Sequence, residues 1–129
     1  MTELSSPAPA DVLYSVVVPF FNEQDNVAPL LDEIGAVMAA LGNYEVVTVD
    51  DCSTDGTRAR LLACAADPRV RVVAHGCNRG QSAALCSGVD AARGAWVITL
   101  DGDGQYDPRD IPRLLAAIAV EQPPLLVCG

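Results

Sequence analysis

Two carboxylates and a carboxamide stand close together in Asp101-Gly102-Asp103-Gly104-Gln105. Three oxygen ligands on one short loop suit a hard divalent cation such as Mg²⁺ or Mn²⁺. The apolar run before the loop, Ala95-Trp96-Val97-Ile98-Thr99-Leu100, reads as a buried strand by its length and β-branched content. After the loop, Tyr106-Asp107-Pro108 reads as a turn into a helix. The carboxylates therefore stand at the carboxyl end of a strand. A calcium loop of the EF-hand type needs Glu at its twelfth position, and counting from Asp101 that position is Pro112, so this chemistry is excluded. A plain Gly-Asp surface turn fits the stretch, taken alone, equally well.

A second acidic pair, Asp50-Asp51, follows the strand-like run Glu45-Val46-Val47-Thr48-Val49. Adjacent carboxylates repel and need a hydrogen-bond donor or a cation to face. The residues after them, Ser53, Thr54 and Asp55, are read as caps of the next helix, running to about Ala66. Here too a calcium loop fails, because its twelfth position is Leu62.

The elements that must position these groups alternate along the chain. Residues 1–13, with Ser5, Ser6, Pro7 and Pro9, read as a flexible arm, and residues 14–129 as the domain. Tyr14 to Val18 forms a first strand, closed by Pro19. Val27, Leu30, Leu31, Ile34, Met38 and Leu41 recur at helical spacing up to Gly42. Val70 to Ala74 gives a third strand after the one at 45–49. A helix follows from Gln81 to about Ala92, with Ala83, Ala84, Ser87 and Gly88 small enough for close approach to a sheet and Gly94 placed to end it. A helix near 112–120 and a fifth strand at 125–128 complete the series.

Composition narrows the function. The 129 residues are half hydrophobic, enough for one domain with a real core. Seventeen acidic residues against eight basic ones argue against nucleic acid or an anionic membrane surface as the main partner. Every basic residue is an arginine, so mechanisms that need a catalytic or phosphate-binding lysine are excluded. The five cysteines, without a C-x-x-C pair, are expected to be reduced and mostly buried in a cytoplasmic protein. No apolar run approaches the length of a membrane span.

Strands alternating with helices predict an α/β fold, a mostly parallel sheet with helices on both faces. Ligands of such sheets sit outside the carboxyl ends of the strands, where strand order reverses. With the order third-second-first-fourth, the stretch Pro19–Glu23, the pair Asp50-Asp51 and the loop Asp101–Gln105 converge on one crevice. A bound cation there calls for an anionic partner, most simply a diphosphate. A dinucleotide-binding Rossmann unit would need Gly-x-Gly-x-x-Gly after the first strand, where this chain has Pro-Phe-Phe-Asn-Glu. Receiver domains, dehalogenase-type phosphatases and sugar-phosphate nucleotidyltransferases do not fit a lysine-free chain with Asp-x-Asp on its fourth strand.

Val18-Pro19-Phe20-Phe21-Asn22-Glu23, Val49-Asp50-Asp51-Cys52-Ser53-Thr54-Asp55-Gly56-Thr57, Asn78-Arg79-Gly80-Gln81 and Asp101-Gly102-Asp103-Gly104-Gln105-Tyr106-Asp107-Pro108 resemble the successive motifs of family 2 glycosyltransferases. The branch they resemble most is that of the dolichyl- or polyprenyl-phosphate sugar transferases. The resemblance covers residues 14–129. It implies a Rossmann-like GT-A fold, here C-terminally incomplete, since family members run on well beyond a fifth strand. It also implies a nucleotide-diphospho-sugar donor, a lipid-phosphate or glycan acceptor, and transfer with inversion, at the cytoplasmic face of a membrane. By this resemblance Pro19, Phe21 and Glu23 line the nucleoside pocket, while Val49 and Asp51 hold base and ribose. Arg79, Gly80 and Gly102 join the donor site. Asp101 and Asp103 are the catalytic carboxylates, and with Gln105 they bind the metal and diphosphate. Two positions depart from the family pattern: Cys52 stands where a Gly or another small or polar residue is usual, and Phe21 where the branch often has Tyr.

If the acceptor is a lipid phosphate, with a second pKa of about 6, it is largely ionised at neutral pH and needs no general base. A hydroxyl acceptor would need a carboxylate base, and the sequence does not single one out. A module that binds the nucleotide without turnover is the alternative. Elsewhere ordinary structural roles are expected: His75 as a solvated loop residue, Trp96 in the core, Arg79 at the surface, and Asp50 less engaged than Glu23 or Asp51.

Overall fold

The computed structural model describes residues 2–3, 12–101, 107–113 and 126–128. Among them, β1 (Thr2–Glu3), β2 (Tyr14–Phe20), β3 (Tyr44–Asp50), β4 (Val70–Ala74), β5 (Trp96–Thr99) and β6 (Leu126–Cys128) form one sheet. Its order is β1-β4-β3-β2-β5-β6. Every pairing is parallel except β1 with β4. The central order β4-β3-β2-β5 is the one under which the three acidic stretches converge. Phe20 pairs with Asp50 and Val17 with Thr99, so β2, β3 and β5 deliver their following residues to the same edge.

The sheet is covered on both faces. Even-numbered β2 residues Val16, Val18 and Phe20 point to one side with Val46, Val70, Val72 and Ile98. There they meet α1 (Gln24–Ala39) through Val27, Leu30, Leu31, Ile34 and Met38, and α2 (Thr57–Cys64) through Leu61. Val17, Val47, Val49, Val73 and Val97 point to the other side, where α3 (Gln81–Ala91) brings Ala84. Strands buried on both faces read as continuous valine runs, which is how they are written here.

Small residues set the closest approaches. A Cβ added to Gly88 would lie 2.3 Å from Val17 Cγ1, so α3 sits on β2 at glycine distance. Gly42 has φ of 138° and its N–H bonds Met38 O at 3.3 Å, closing α1 as expected. Gly94 acts differently from the expected helix stop. The helix already ends at Ala91, and a Cβ on Gly94 would stand 2.7 Å from the Ser15 nitrogen, so its smallness serves the start of β2.

Within the stretch read as an arm, Thr2–Glu3 pairs with Val73 and Ala74, a strand too short to leave a period in the sequence. The helix expected near 112–120 is present at 111–113, behind a 3-10 turn at Pro108–Asp110 whose Asp107 Oδ1 accepts the Arg109 N–H at 2.9 Å; residues 114–120 lie outside the described residues. Two further expectations are corrected. Trp96 is half-buried rather than core. Cys77 and Cys86 are exposed, on the loop before α3 and on its outer face, with Cys52 and Cys64 half-buried and all four free.

At the amino edge of the sheet lies a buried polar cluster that periodicity did not reveal. Arg71, 2 % exposed, places Nη1 2.7 Å from Glu45 Oε1 and 2.7 Å from Ala91 O. Glu45 Oε2 also accepts from Ser15 Oγ and from the Arg93 N–H. A buried ion pair needs such extra donors to offset its desolvation.

Candidate active site

The opposite, carboxyl edge carries the acidic groups. Two loops there are laced together: Asn22 N–H donates to Ser53 Oγ at 3.0 Å, Thr54 N–H to Asn22 Oδ1 at 2.8 Å, Glu23 N–H to Thr57 Oγ1 at 3.0 Å, and Gly56 N–H to Gln24 Oε1 at 2.8 Å. Ser53 and Thr54 thus brace the β2–α1 loop rather than cap α2. Nor does Asp55 stand at the cap, which is Gly56; it precedes it and accepts the Thr57 N–H on Oδ1 at 2.9 Å and the Thr57 hydroxyl. Those bonds hold its carboxyl below its ordinary value, the Thr57 hydroxyl contributing most. Asn22 and Cys52 both have left-handed backbone, φ 52° and 60°. Glycine adopts that conformation without cost, so a side chain at Cys52 carries backbone strain.

The two adjacent aspartates divide their work. Asp50 is fully buried, paired with Arg58 Nε at 2.8 Å and accepting the Ser53 N–H at 3.1 Å, so it is a structural anchor. Asp51 turns toward the crevice. Its Oδ1 accepts from His75 Nδ1 at 2.7 Å and from the Arg79 N–H at 2.9 Å, and its Oδ2 accepts from the Gly80 N–H at 2.8 Å. Burial pushes this carboxyl up, but the bonds from His75, Arg79 and Gly80 together hold it below its ordinary value. Gly80 can present its N–H this way because its φ is 95°.

A cavity of about 350 Å³ opens where β2 lies between β3 and β5, the reversal point of strand order. Pro19, Phe20, Phe21 and Glu23 line it from the end of β2, Asp51 from β3, Asn78, Gly80, Gln81 and Ala84 from the start of α3, and Asp101 from β5. The three sequence-identified carboxylates Glu23, Asp51 and Asp101 therefore share one cavity. No arginine or histidine lines it among the described residues. Asp101 Oδ1 accepts from Gln81 Nε2, tying the β5 end to α3.

Of the other expected site residues, Gly102, Asp103 and Gln105 lie outside the described residues. No group of three His, Cys, Asp or Glu side chains that could hold a metal occurs among the described residues. Val49 is not brought to the cavity: its side chain is fully buried against Val17, Val47 and Ala84 on the α3 face, as strand alternation requires. Arg79 contributes its backbone N–H, while its side chain is exposed and does not line the cavity. His75 is 1 % exposed, not solvated. Asn78 and Gln81, quoted in a motif but not singled out, line the cavity, and their position at a helix start was the available signal.

The model of glycosyl transferase family 2 matches residues 15–129. The chain belongs to that family. This family 2 glycosyltransferase is 40% identical over 116 residues to dodecaprenyl-phosphate galacturonate synthase of Rhizobium johnstonii, covering 88% of this chain and 34% of the relative. It is 44% identical over 106 residues to undecaprenyl-phosphate 4-deoxy-4-formamido-L-arabinose transferase of Edwardsiella ictaluri, covering 80% and 33%. The chain thus spans about a third of the length of the curated relatives it matches. Its fold resembles that of a mannosyltransferase from Pyrobaculum calidifontis in complex with GDP-Man and Mn²⁺, with a TM-score of 0.67, 30% identity and coverage of 82% and 32%. It also resembles glucosyl-3-phosphoglycerate synthase from Mycobacterium tuberculosis in complex with uridine diphosphate, with a TM-score of 0.69, 26% identity and coverage of 88% and 42%. The chain therefore has the GT-A fold that its ordered motifs imply.

Proposed function

We propose that residues 14–129 form the donor-binding part of a glycosyltransferase that moves a sugar, with inversion, from a nucleoside diphosphate to a polyprenyl phosphate at the cytoplasmic face of a membrane. The observation that carries this reading is the convergence of Glu23, Asp51 and Asp101, from three strand ends, on one cavity without a basic lining side chain among the described residues. Like charges so arranged would repel a diphosphate, and a divalent cation, Mg²⁺ or Mn²⁺, resolves the conflict. Asp101, with Asp103 and Gln105 of the same loop, would hold it. When bound, such a cation stabilises the negative charge that develops on the departing nucleoside diphosphate. The complexes of the structural neighbours with GDP-Man and Mn²⁺ and with uridine diphosphate support this donor class. The names of the curated relatives support a polyprenyl-phosphate acceptor.

The chain's own residues then have defined tasks. Phe21, 45 % exposed at the cavity lip, offers a flat face to the base. Asp51, ionised, accepts a hydrogen bond from the nucleoside. Glu23 and Asp101 form an anionic wall that favours positive charge developing on the sugar. An ionised lipid phosphate attacks without a protein base.

A thermal-shift screen of UDP and GDP, with and without Mn²⁺, tests the reading. A ligand at one hundred times its Kd stabilises by about 2.7 kcal/mol. The shift is expected to need Mn²⁺ and to vanish in Asp103→Ala. A metal-independent shift of equal size would refute the metal role. Incubation with radiolabelled UDP- or GDP-sugars, Mn²⁺ and polyprenyl phosphate then separates transfer from binding alone.

A further inference from the structure

His75 is the buried group that the proposed chemistry leaves unused. It follows β4, its backbone N–H bonds Asp50 O at 2.9 Å, and both ring nitrogens are engaged. Nδ1 lies 2.7 Å from Asp51 Oδ1, and Nε2 lies 2.7 Å from Ser87 Oγ on α3. A carboxylate has about four acceptor positions. In Asp51 the donors His75, Arg79 N–H and Gly80 N–H take three, two on Oδ1 and one on Oδ2. Among the described residues one position remains, on Oδ2, and Asp51 lines the cavity. The ring therefore does two things at once: it occupies Oδ1, fixing the rotation of the carboxylate, and it ties that carboxylate to the helix whose first turn also lines the cavity.

We infer that His75 is a positioning residue for the donor: through the chain Ser87–His75–Asp51 it holds Asp51 so that Oδ2 is free to accept a single hydrogen bond from the nucleoside. The inference rests on the donor-site reading above.

The test is titration calorimetry of the protein with UDP and with GDP, each with MnCl₂. His75→Phe keeps the ring and removes both bonds; losing one charge-assisted contact should raise Kd about tenfold. His75→Asn restores an N–H at the Nδ1 position and should recover affinity to within about threefold of wild type. In an Asp51→Asn background the His75→Phe change should cost less than about twofold, since the two act through one contact. A residue that only supported the fold would lower stability equally in both backgrounds and gain nothing specific from Asn. Wild-type affinity in His75→Phe, or the same loss with and without Asp51, overturns the inference. If His75→Phe does not fold, Ser87→Ala, which leaves the ring in place, should still weaken binding about two- to fivefold, and unchanged affinity there overturns it too. If the wild-type protein binds neither nucleotide, the donor-site reading falls and takes this inference with it; wild-type binding with no effect in the variants sinks the inference alone.

Discussion

Gly88 lies on the face of α3 that meets β2 and β3, and replacing it with alanine should damage the site from a distance. The added methyl would stand 2.3 Å from Val17 Cγ1 and 3.1 Å from Val49 Cγ2. Ordinary carbon contacts are about 3.5–4.0 Å, so more than about 1 Å must be recovered on the Val17 side. Both valines are fully buried and stiff at χ1, and the packed sheet behind them cannot yield, so the helix must move. Overpacking costs about 1–3 kcal/mol, against a gain of about 1 kcal/mol in helix propensity. The net loss should be up to about 2 kcal/mol. The neighbouring residue is Ser87, whose bond to His75 Nε2 is 2.7 Å, and the helix start carries Gly80, whose N–H is 2.8 Å from Asp51. A shift of about 1 Å takes both out of hydrogen-bonding range. Urea unfolding followed by circular dichroism measures the first effect, and calorimetry with UDP or GDP and Mn²⁺ the second, expected as a loss of about tenfold. A Gly88→Ala protein more stable than wild type with unchanged affinity would show that α3 is not at its closest approach and refute the reasoning.

Arg71→Met should lower stability by about 3–5 kcal/mol, because it strands Glu45 as a buried unpaired charge. Thermal melts check this, and a loss under about 1 kcal/mol would contradict the role given to the pair. At Cys52, with φ of 60°, a β-branched Cys52→Val should cost about 1–3 kcal/mol while Cys52→Gly should not destabilise; denaturant midpoints that rank them the other way would count against backbone strain. The lowered carboxyl of Asp51 contributes stability that is fully present above the ordinary carboxylate range and is lost as pH falls through that range to its lower folded value. Asp51→Asn should therefore flatten the acid limb of the stability profile, and an unchanged limb would show that its hydrogen bonds add nothing.

The sheet was legible because its strands are valine runs buried on both faces and because turn residues and capping groups punctuate them. The strand order was a supposition that right-handed crossovers allow, and the sheet has it. What escaped notice shares one physical cause. His75 looked like a loop residue because its burial comes from Asp51 and Ser87, 24 and 12 residues away, and no local period encodes such a partner. The Glu45–Arg71 pair escaped for the same reason: each residue is a lone charge inside an apolar strand, and their meeting depends on the register of β3 with β4. By motif position Val49 belongs to the site, whereas alternation along β3 puts its side chain in the α3 core; Asp51, two residues on and on the same face, lies past the strand end, where it meets the Gly80 N–H at the start of α3.

The same alternation bears on how the two acidic neighbours avoid each other. Two carboxylates in sequence cannot both face one small cavity without a large penalty, and the structure separates them by environment. Asp50 meets the guanidinium of Arg58, and Asp51 meets two backbone N–H groups and an imidazole. Neutralising Asp50 with a full cation, while giving Asp51 donors that leave one acceptor position open, keeps negative character where a nucleoside can use it. The arrangement predicts an asymmetry between the two. Asp50→Asn should cost stability, because Arg58 loses its partner, with the affinity of the remaining folded protein for UDP or GDP nearly unchanged. Asp51→Asn should cost affinity at least tenfold, since the open position on Oδ2 loses its charge. Parallel calorimetry and denaturation of both variants would read this directly, and equal losses of affinity in the two would contradict the division of labour.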